Sequence, residues 1–430
     1  MRALSMAGRP GGLLRMTTYP VALSGTTAPV LSWAAEETIE PQALQQLRDV
    51  SELPGLHGLR VMPDVHYGKG ATVGSVIAME QALAPAAVGV DIGCGVNAVK
   101  TSLVLDDFEG DDLAKLRSRF EAAVPVGFAA HNPRKDSRDG LPSQITMGAL
   151  RILKRFKDLR VDEYTRRPGE RESLSAFEER AAMSMGTLGN GNHFIELTTD
   201  STGAVWITLH SGSRGIGNVL ATEHIARAQA DPRNADLPDH LRELSLFYKG
   251  TPEMDAYLHD LRWAQDYAMH SRTIMMALVK RELSAHMGAR RPVVYGEEIN
   301  CHHNYVAEEV IDGRQMIVTR KGAISAKEGE LALIPGSMAT GSYIVRGLGN
   351  LQSFQSASHG AGRTLSRAQA KKRLSVESLE LAMAGIEART DEGVLDEHPL
   401  AYKNLDDVME AQRDNVEPVE RLQTILCVKG

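Results

Sequence analysis

Short apolar runs separated by polar clusters recur along the chain on both sides of a longer-period stretch. Gly58–Met62, Val96–Val104, Ala204–Leu209, Met316–Thr319 and Leu331–Ile334 are partly β-branched and bounded by Gly, Pro or Asp, a pattern that predicts strands. Several end directly in polar groups: Pro63-Asp64-Val65-His66, His210-Ser211-Gly212-Ser213-Arg214-Gly215 and Pro335-Gly336-Ser337-Met338. Side chains at strand ends are rigidly held, which is where chemistry is best placed. Between Asn218 and Met287 the period lengthens, with Leu258, Leu261, Ala264, Ala268, Met275 and Leu278 at helical spacing. The methionines of this stretch read as core filler. A break at Tyr248–Pro252 divides it, with Pro252 at the start of the second helix. The expectation is an α+β fold of mixed β-sheets flanked by helices. It forms one domain over residues 16–430, with a helical insertion at about 218–287. Residues 1–15 read as a disordered extension, with Met16 as a second start.

Composition changes this picture little. The 430 residues are 43% hydrophobic and 24% charged, as expected of a globular enzyme. Thirty-nine glycines and 18 prolines suit short strands and tight loops. A net charge of -7 gives no global sign of a nucleic-acid binder, so any polyanion contact must come from a local patch. Cys94, Cys301 and Cys427 are too few and scattered for a disulfide framework, which points to a reducing cytoplasm. No apolar run has the length of a signal peptide or a membrane span.

Candidate chemistry gathers in the glycine-rich segments. Of 14 histidines, His193, His210, His303 and His359 lie among Gly, Asn and Ser and not within apolar periodic runs. Asp91-Ile92-Gly93-Cys94-Gly95 adds a carboxylate and a thiol with glycines that permit a tight turn. Asp91, Cys94 and three of the histidines make a candidate dinuclear metal site, since a thiolate is able to bridge two ions. Taken singly, the Asp-x-x-Cys reads as a buried structural cysteine, and a His beside Asn as a satisfied hydrogen-bonding group. Two histidines four apart on a helix, as in zinc proteases, and a P-loop are both missing from the sequence.

Ser356–Arg363 sets His359 against a Gly-Ala-Gly turn, which would let backbone amides approach a phosphate. Thr364–Ser375 reads as a helix on which Arg363, Arg367 and Lys371 recur every four residues. Alone, this segment reads as a surface histidine before a solvated basic helix. Five basic and no acidic residues between His359 and Ser375 make it the best phosphate track in the chain. A weaker basic stretch, Arg151–Arg167, reads as an ordinary solvated helix face.

Together the motifs resemble one family. Met62-Pro63-Asp64-Val65-His66, Val90–Gly95, Gly191–Glu196, His210–Gly215, His303-Asn304, Pro335–Met338, His359–Arg363 and Val428-Lys429-Gly430 occur in the order seen in RtcB, the GTP- and manganese-dependent RNA ligases. The resemblance runs from about Thr17 to the C-terminus, and residues 297–306 and 401–408 look most like the bacterial branch. Gln355 and Ala357 depart from it, standing where relatives often carry cysteine.

The resemblance implies the RtcB-like fold and two Mn(II) ions held by Asp91, Cys94, His193, His210 and His303, with Cys94 bridging. Sulfur among the ligands would also tolerate zinc. It implies GTP contacts from Asn192, His193, Phe194, Ile195, Glu196, His303, Asn304, Pro335, Gly336, Ser337, Met338, Ser342, His359, Gly360, Ala361, Gly362 and Lys429. His359 is the implied nucleophile toward GTP. Asp64 is the candidate for orienting or deprotonating a hydroxyl, or else a buried structural carboxylate. Glu196 is the candidate acceptor for the guanine N–H edge. Lys429 matters only if the chain end is tied down. The implied partners are RNAs with a 3'-phosphate or 2',3'-cyclic phosphate and a 5'-hydroxyl, and an archease-type activator. Two other readings remain open: a metal-dependent phosphoesterase that activates water, and a non-catalytic RNA-binding paralogue.

Overall fold

The computed structural model describes residues 18–132, 136–161, 164–167 and 170–430; the expected extension at residues 1–15 lies outside them. All five predicted runs are strands, lying within Leu56–His66, Gly95–Val104, Ala204–Ser211, Arg314–Lys321 and Leu331–Pro335. They belong to two sheets. The first has six strands in the order Val21–Ala22, Val30–Ser32, Leu56–His66, Val73–Met79, Arg314–Lys321 and Asn304–Ile311. The second runs Tyr295–His302, Gly95–Val104, Ala204–Ser211, Phe194–Thr199, Val416–Lys429, Ser342–Gly347 and Leu331–Pro335, with Glu387–Ala388 added beside Val416–Lys429. Both sheets are mixed, because Val30–Ser32 pairs parallel with Leu56–His66 and Glu387–Ala388 pairs parallel with Val416–Lys429.

Register determines what gathers at one end of the second sheet. Ser211 pairs with Gly95, His302 with Gly95, His210 with Phe194, and Lys429 with Phe194. Cys94, His193 and His303 are therefore each one residue beyond the end of neighbouring strands. His303 also separates the two sheets, since Tyr295–His302 belongs to the second and Asn304–Ile311 to the first.

Residues 216–287 contain the helices Ile216–Ala230 and Pro252–Met287. Pro252 is at the first turn, and the Thr251 hydroxyl caps it by accepting from Met254 N. The second helix is built into the core, where Leu261, Trp263, Ala264 and Tyr267 are buried in the largest apolar cluster. Met254, Met275, Met276 and Met287 fill the same cluster. Among the described residues no helix is long and apolar enough to cross a membrane.

The basic segment after His359 differs from its predicted helix. Ser366 and Gln369 form a capping box that starts a helix only at Arg367, and Arg373 ends it. Ser375 caps a separate helix, Val376–Ala382. Arg363 lies outside both and turns inward, so the expected positive face shrinks to Arg367 and Lys371.

Candidate active site

Two triads of ligand-type side chains share one sulfur. Cys94, His210 and His303 form one, and Asp91, Cys94 and His193 the other, with the ligand atoms of each within 4.8 Å of one another. Cys94 Sγ lies 3.2 Å from His210 Nε2 and 3.6 Å from His193 Nε2. His193 Nε2 lies 3.3 Å from Asp91 Oδ2.

Backbone and amide oxygens fix the histidines from behind. Nδ1 of His193 is 2.9 Å from Leu188 O, Nδ1 of His210 is 3.1 Å from Asn192 O, and Nδ1 of His303 is 3.3 Å from Asn304 Oδ1. An Nδ1–H donated to each oxygen leaves every Nε2 lone pair facing the centre. His210 Nε2 and His303 Nε2 are then 2.9 Å apart, two lone pairs that repel unless a cation lies between them. Burial, followed by neighbouring histidines, drives both imidazoles well below their ordinary pKa, so they stay neutral. Burial works against ionised Asp91, but His193 and the Ser213 amide outweigh it and hold this carboxyl below its usual range. The donor set therefore fits divalent metal.

The cradle around these ligands is tight. A Cβ on Gly212 would lie 2.2 Å from Asp91 Oδ2, so any larger residue here would displace this carboxylate. Arg272, fully buried on the long helix, donates to Gly93 O at 2.8 Å and Ser211 O at 3.1 Å, and its Nε donates to Asn300 Oδ1 at 2.9 Å. It ties the Cys94 turn to the end of the His210 strand. Sequence reasoning missed it; the available signal was a charge at the four-residue register of the apolar stripe Ala264–Ala268.

His359 stands beside this centre, its ring centroid 4.7 Å from that of His303. Its Nδ1 lies 2.6 Å from Asp64 Oδ2, which also accepts from His359 N at 3.2 Å. Asp64 is fully buried at the end of the Leu56–His66 strand. Lys403 holds that strand end, donating to Pro63 O at 2.9 Å and Val65 O at 2.8 Å. Asp64, expected to orient or deprotonate a hydroxyl or to be a buried structural carboxylate, thus meets the His359 imidazole directly.

The Gly-Ala-Gly turn is shaped by protein contacts. Ala361 N donates to Pro335 O at 3.0 Å. Gly362 has φ +74°, and a Cβ there would lie 2.1 Å from Asp64 O. Glycine is required at 362 so that the turn can pass the strand that carries Asp64.

A cleft opens beside His359. Asn192, Phe194, Glu196, Pro335, Gly336, Ser337, Met338, Ser342, His359, Gly360, Ala361, Gly362 and Lys429 line it, as the sequence reading expected of GTP contacts. His193 and His303, expected both as metal ligands and as GTP contacts, are in the ligand triads. Asn304 braces His303 and accepts from Gly322 N at 2.8 Å. Ile195 points the other way: strand alternation sends Phe194 and Glu196 to the cleft and buries Ile195 in the core. Ser342 Oγ is buried without a hydrogen-bond partner among the described residues, as expected of a group awaiting ligand.

Further residues line the cleft without having been put forward as site residues. His66 and Arg363 stand in quoted motifs and Arg367 in the basic stretch, whereas Glu397 and Tyr402 had no such motif to reveal them. Burial works against ionised Glu397, but Lys429, the Tyr402 hydroxyl and Arg363 prevail and hold it at about 2. Lys429 Nζ is 3.0 Å and Arg363 Nη1 3.1 Å from this carboxylate. With backbone pairing to Phe194, this ion pair anchors Lys429. Burial raises the Glu196 carboxyl to about 7.

The family model described as tRNA-splicing ligase RtcB matches residues 46–430. The chain belongs to the RtcB family. It is 43% identical over 424 residues to the RNA-splicing ligase RtcB of Escherichia coli K12, covering 95% of this chain and 99% of that protein. Identity to the RNA-splicing ligase RtcB of Mycobacterium tuberculosis is 29% over 439 residues, covering 90% of this chain and 100% of the relative.

Proposed function

We propose that this RtcB-family chain is an RNA ligase that joins a 3'-phosphate or 2',3'-cyclic phosphate end to a 5'-hydroxyl end through guanylylated His359. The observation that carries the reading is the 2.6 Å contact of His359 Nδ1 with buried Asp64. An Nδ1–H donated to this carboxylate leaves the Nε2 lone pair free as nucleophile, and the carboxylate stabilises the imidazolium that develops during attack.

Nε2 of His359 attacks the α-phosphorus of GTP; the bond to the bridging oxygen breaks and pyrophosphate leaves. The product is a histidine–GMP phosphoramidate. An oxygen of the RNA 3'-phosphate, formed by water opening the cyclic ester where necessary, then attacks the same phosphorus. The P–N bond breaks, His359 is regenerated and the RNA carries a pyrophosphate-linked guanosine. Finally the 5'-hydroxyl oxygen attacks the RNA phosphorus, loses its proton and expels GMP.

Asp91, Cys94, His193, His210 and His303 would hold two Mn(II) ions, with Cys94 common to both. Bound metal would neutralise phosphate charge and favour displacement. Within the cleft Glu196, once ionised, would accept from the N–H edge of guanine. Lys429, held by Glu397, supplies positive charge there. Cytoplasmic RNA repair or tRNA splicing fits this chemistry, and an archease-type activator remains the proposed partner.

Incubation with α-labelled GTP and Mn(II) tests the proposal. Acid-labile, alkali-stable label on the protein, lost in His359→Ala, is the expected result. A metal-dependent phosphoesterase or a non-catalytic RNA binder would take up no label.

A further inference from the structure

The described surface has two exposed large aromatic side chains, Tyr67 at 51% and Phe128 at 95% exposure. Neither lines the cleft itself, but each stands one step from residues that do. Tyr67 directly follows His66, a lining residue. Phe128 follows Gly127, whose amide donates to Gly189 O at 2.8 Å on the loop leading to Asn192 and His193. Gly127 also abuts the chain end, because a Cβ on Gly430 would lie 2.7 Å from Gly127 N, and the preceding Lys429 lines the cleft.

Each ring is carried by a braced loop. Leu188 N donates to Pro125 O at 2.9 Å, Ala129 N to Val126 O at 3.1 Å, and Arg214 Nη2 to Gly127 O at 2.8 Å. On the other loop Tyr67 N donates to Glu40 Oε1 at 2.5 Å, and Gln46 Nε2 to Gly68 O at 2.6 Å. Neither ring contributes to the apolar core clusters. An exposed aromatic ring on a braced loop, without a packing role, leaves its face available for stacking.

We infer that Tyr67 and Phe128 are stacking platforms for unpaired bases of the RNA strands whose ends react in the cleft. The inference rests on the RNA ligase reading. It follows from three features together: isolated rings, not a continuous apolar patch; loops that adjoin lining residues of a phosphate-transfer site; and the half-exposed cations Arg367, which lines the cleft, and Lys371 on the same helix, both beside Asp396. A protein partner calls for a contiguous apolar area, whereas single-stranded nucleic acid calls for spaced aromatic faces beside positive charge.

The test uses the full chain with GTP and Mn(II), and a fluorescent single-stranded RNA ending in a 3'-phosphate. Phe128→Ala and Tyr67→Ala should each weaken RNA binding by about tenfold in an anisotropy titration. Both should guanylylate His359 at the wild-type rate. Phe128→Trp and Tyr67→Trp should restore affinity, and RNA should quench the new indole. Alanine variants that bind RNA as the wild type does would overturn the inference, including in favour of a protein partner at these rings. Loss of guanylylation alongside affinity would also overturn it, showing that the loops are structural. A wild-type chain that takes up no label from GTP would instead defeat the ligase reading itself.

Discussion

Asp64→Asn isolates the contact on which the chemistry turns. The substitution keeps the side-chain volume in a fully buried site and removes one charge facing His359 Nδ1 at 2.6 Å. Hydrogen bonds to a charged group contribute roughly 1.5–3 kcal/mol, and about 1.4 kcal/mol is a factor of ten in rate. Transfer of guanylate to His359 should therefore slow by about ten- to a hundredfold. If the amide presents its NH2 to Nδ1, the ring proton moves to Nε2 and blocks the attacking lone pair; the loss then approaches roughly the 10⁴ seen when the carboxylate of a serine-protease triad is made an amide. The assay is single-turnover labelling with α-labelled GTP, run beside a measurement of bound metal. Metal content should not change, because Asp64 is in neither ligand triad. A rate within threefold of wild type (roughly 0.6 kcal/mol) would refute the positioning role. A parallel loss of metal would show that Asp64 supports the fold and not the nucleophile.

Four further outcomes are expected. Cys94→Ala should abolish both metal equivalents, because its sulfur belongs to both triads, whereas His303→Ala should remove one; metal analysis of the dialysed protein checks this. Glu196 has its folded pKa raised, chiefly by burial, to about 7. Its burial penalty therefore grows as pH rises from the usual carboxylate range to neutrality, while the ionised form needed to accept from guanine becomes populated. GTP affinity should rise from about pH 6 to about pH 8, and Glu196→Gln should flatten the profile. Deleting Lys429 and Gly430 removes the cation 3.0 Å from Glu397 and should weaken GTP use by about tenfold with metal content intact; unchanged guanylylation kinetics would remove Lys429 from the site. Lys371→Glu, on the exposed helix face, should impair RNA joining at low salt much more than guanylylation, and the difference should shrink as salt rises.

The apolar runs and motif residues were legible because both depend on neighbours in sequence. Leu331–Ile334 and Ala204–Leu209 declare strands by local pattern, and the polar groups at their ends follow. The side-chain direction of Ile195 was not legible because a motif read as a string ignores alternation: its neighbours face the cleft, and its side chain faces the core. Arg363 was misassigned because helical spacing was extended past Ser366, whose capping box starts the helix three residues later. Glu397 and Tyr402 were invisible. Glu397 ends a short turn with no motif, and its role arises only when folding brings Arg363 and Lys429 to it. Asp64 was recognised as chemical, but its partner, His359, is 295 residues away, and only the packed turn at Gly362 reveals the pairing.

The central claim is that His359 Nε2 becomes covalently guanylylated. Mass spectrometry of peptides from the chain after incubation with GTP and Mn(II), kept at alkaline pH, addresses it most directly. GMP on the His359 peptide, acid-labile and lost in His359→Ala, is the predicted result. An unmodified His359 peptide, or GMP on any other residue, would contradict it.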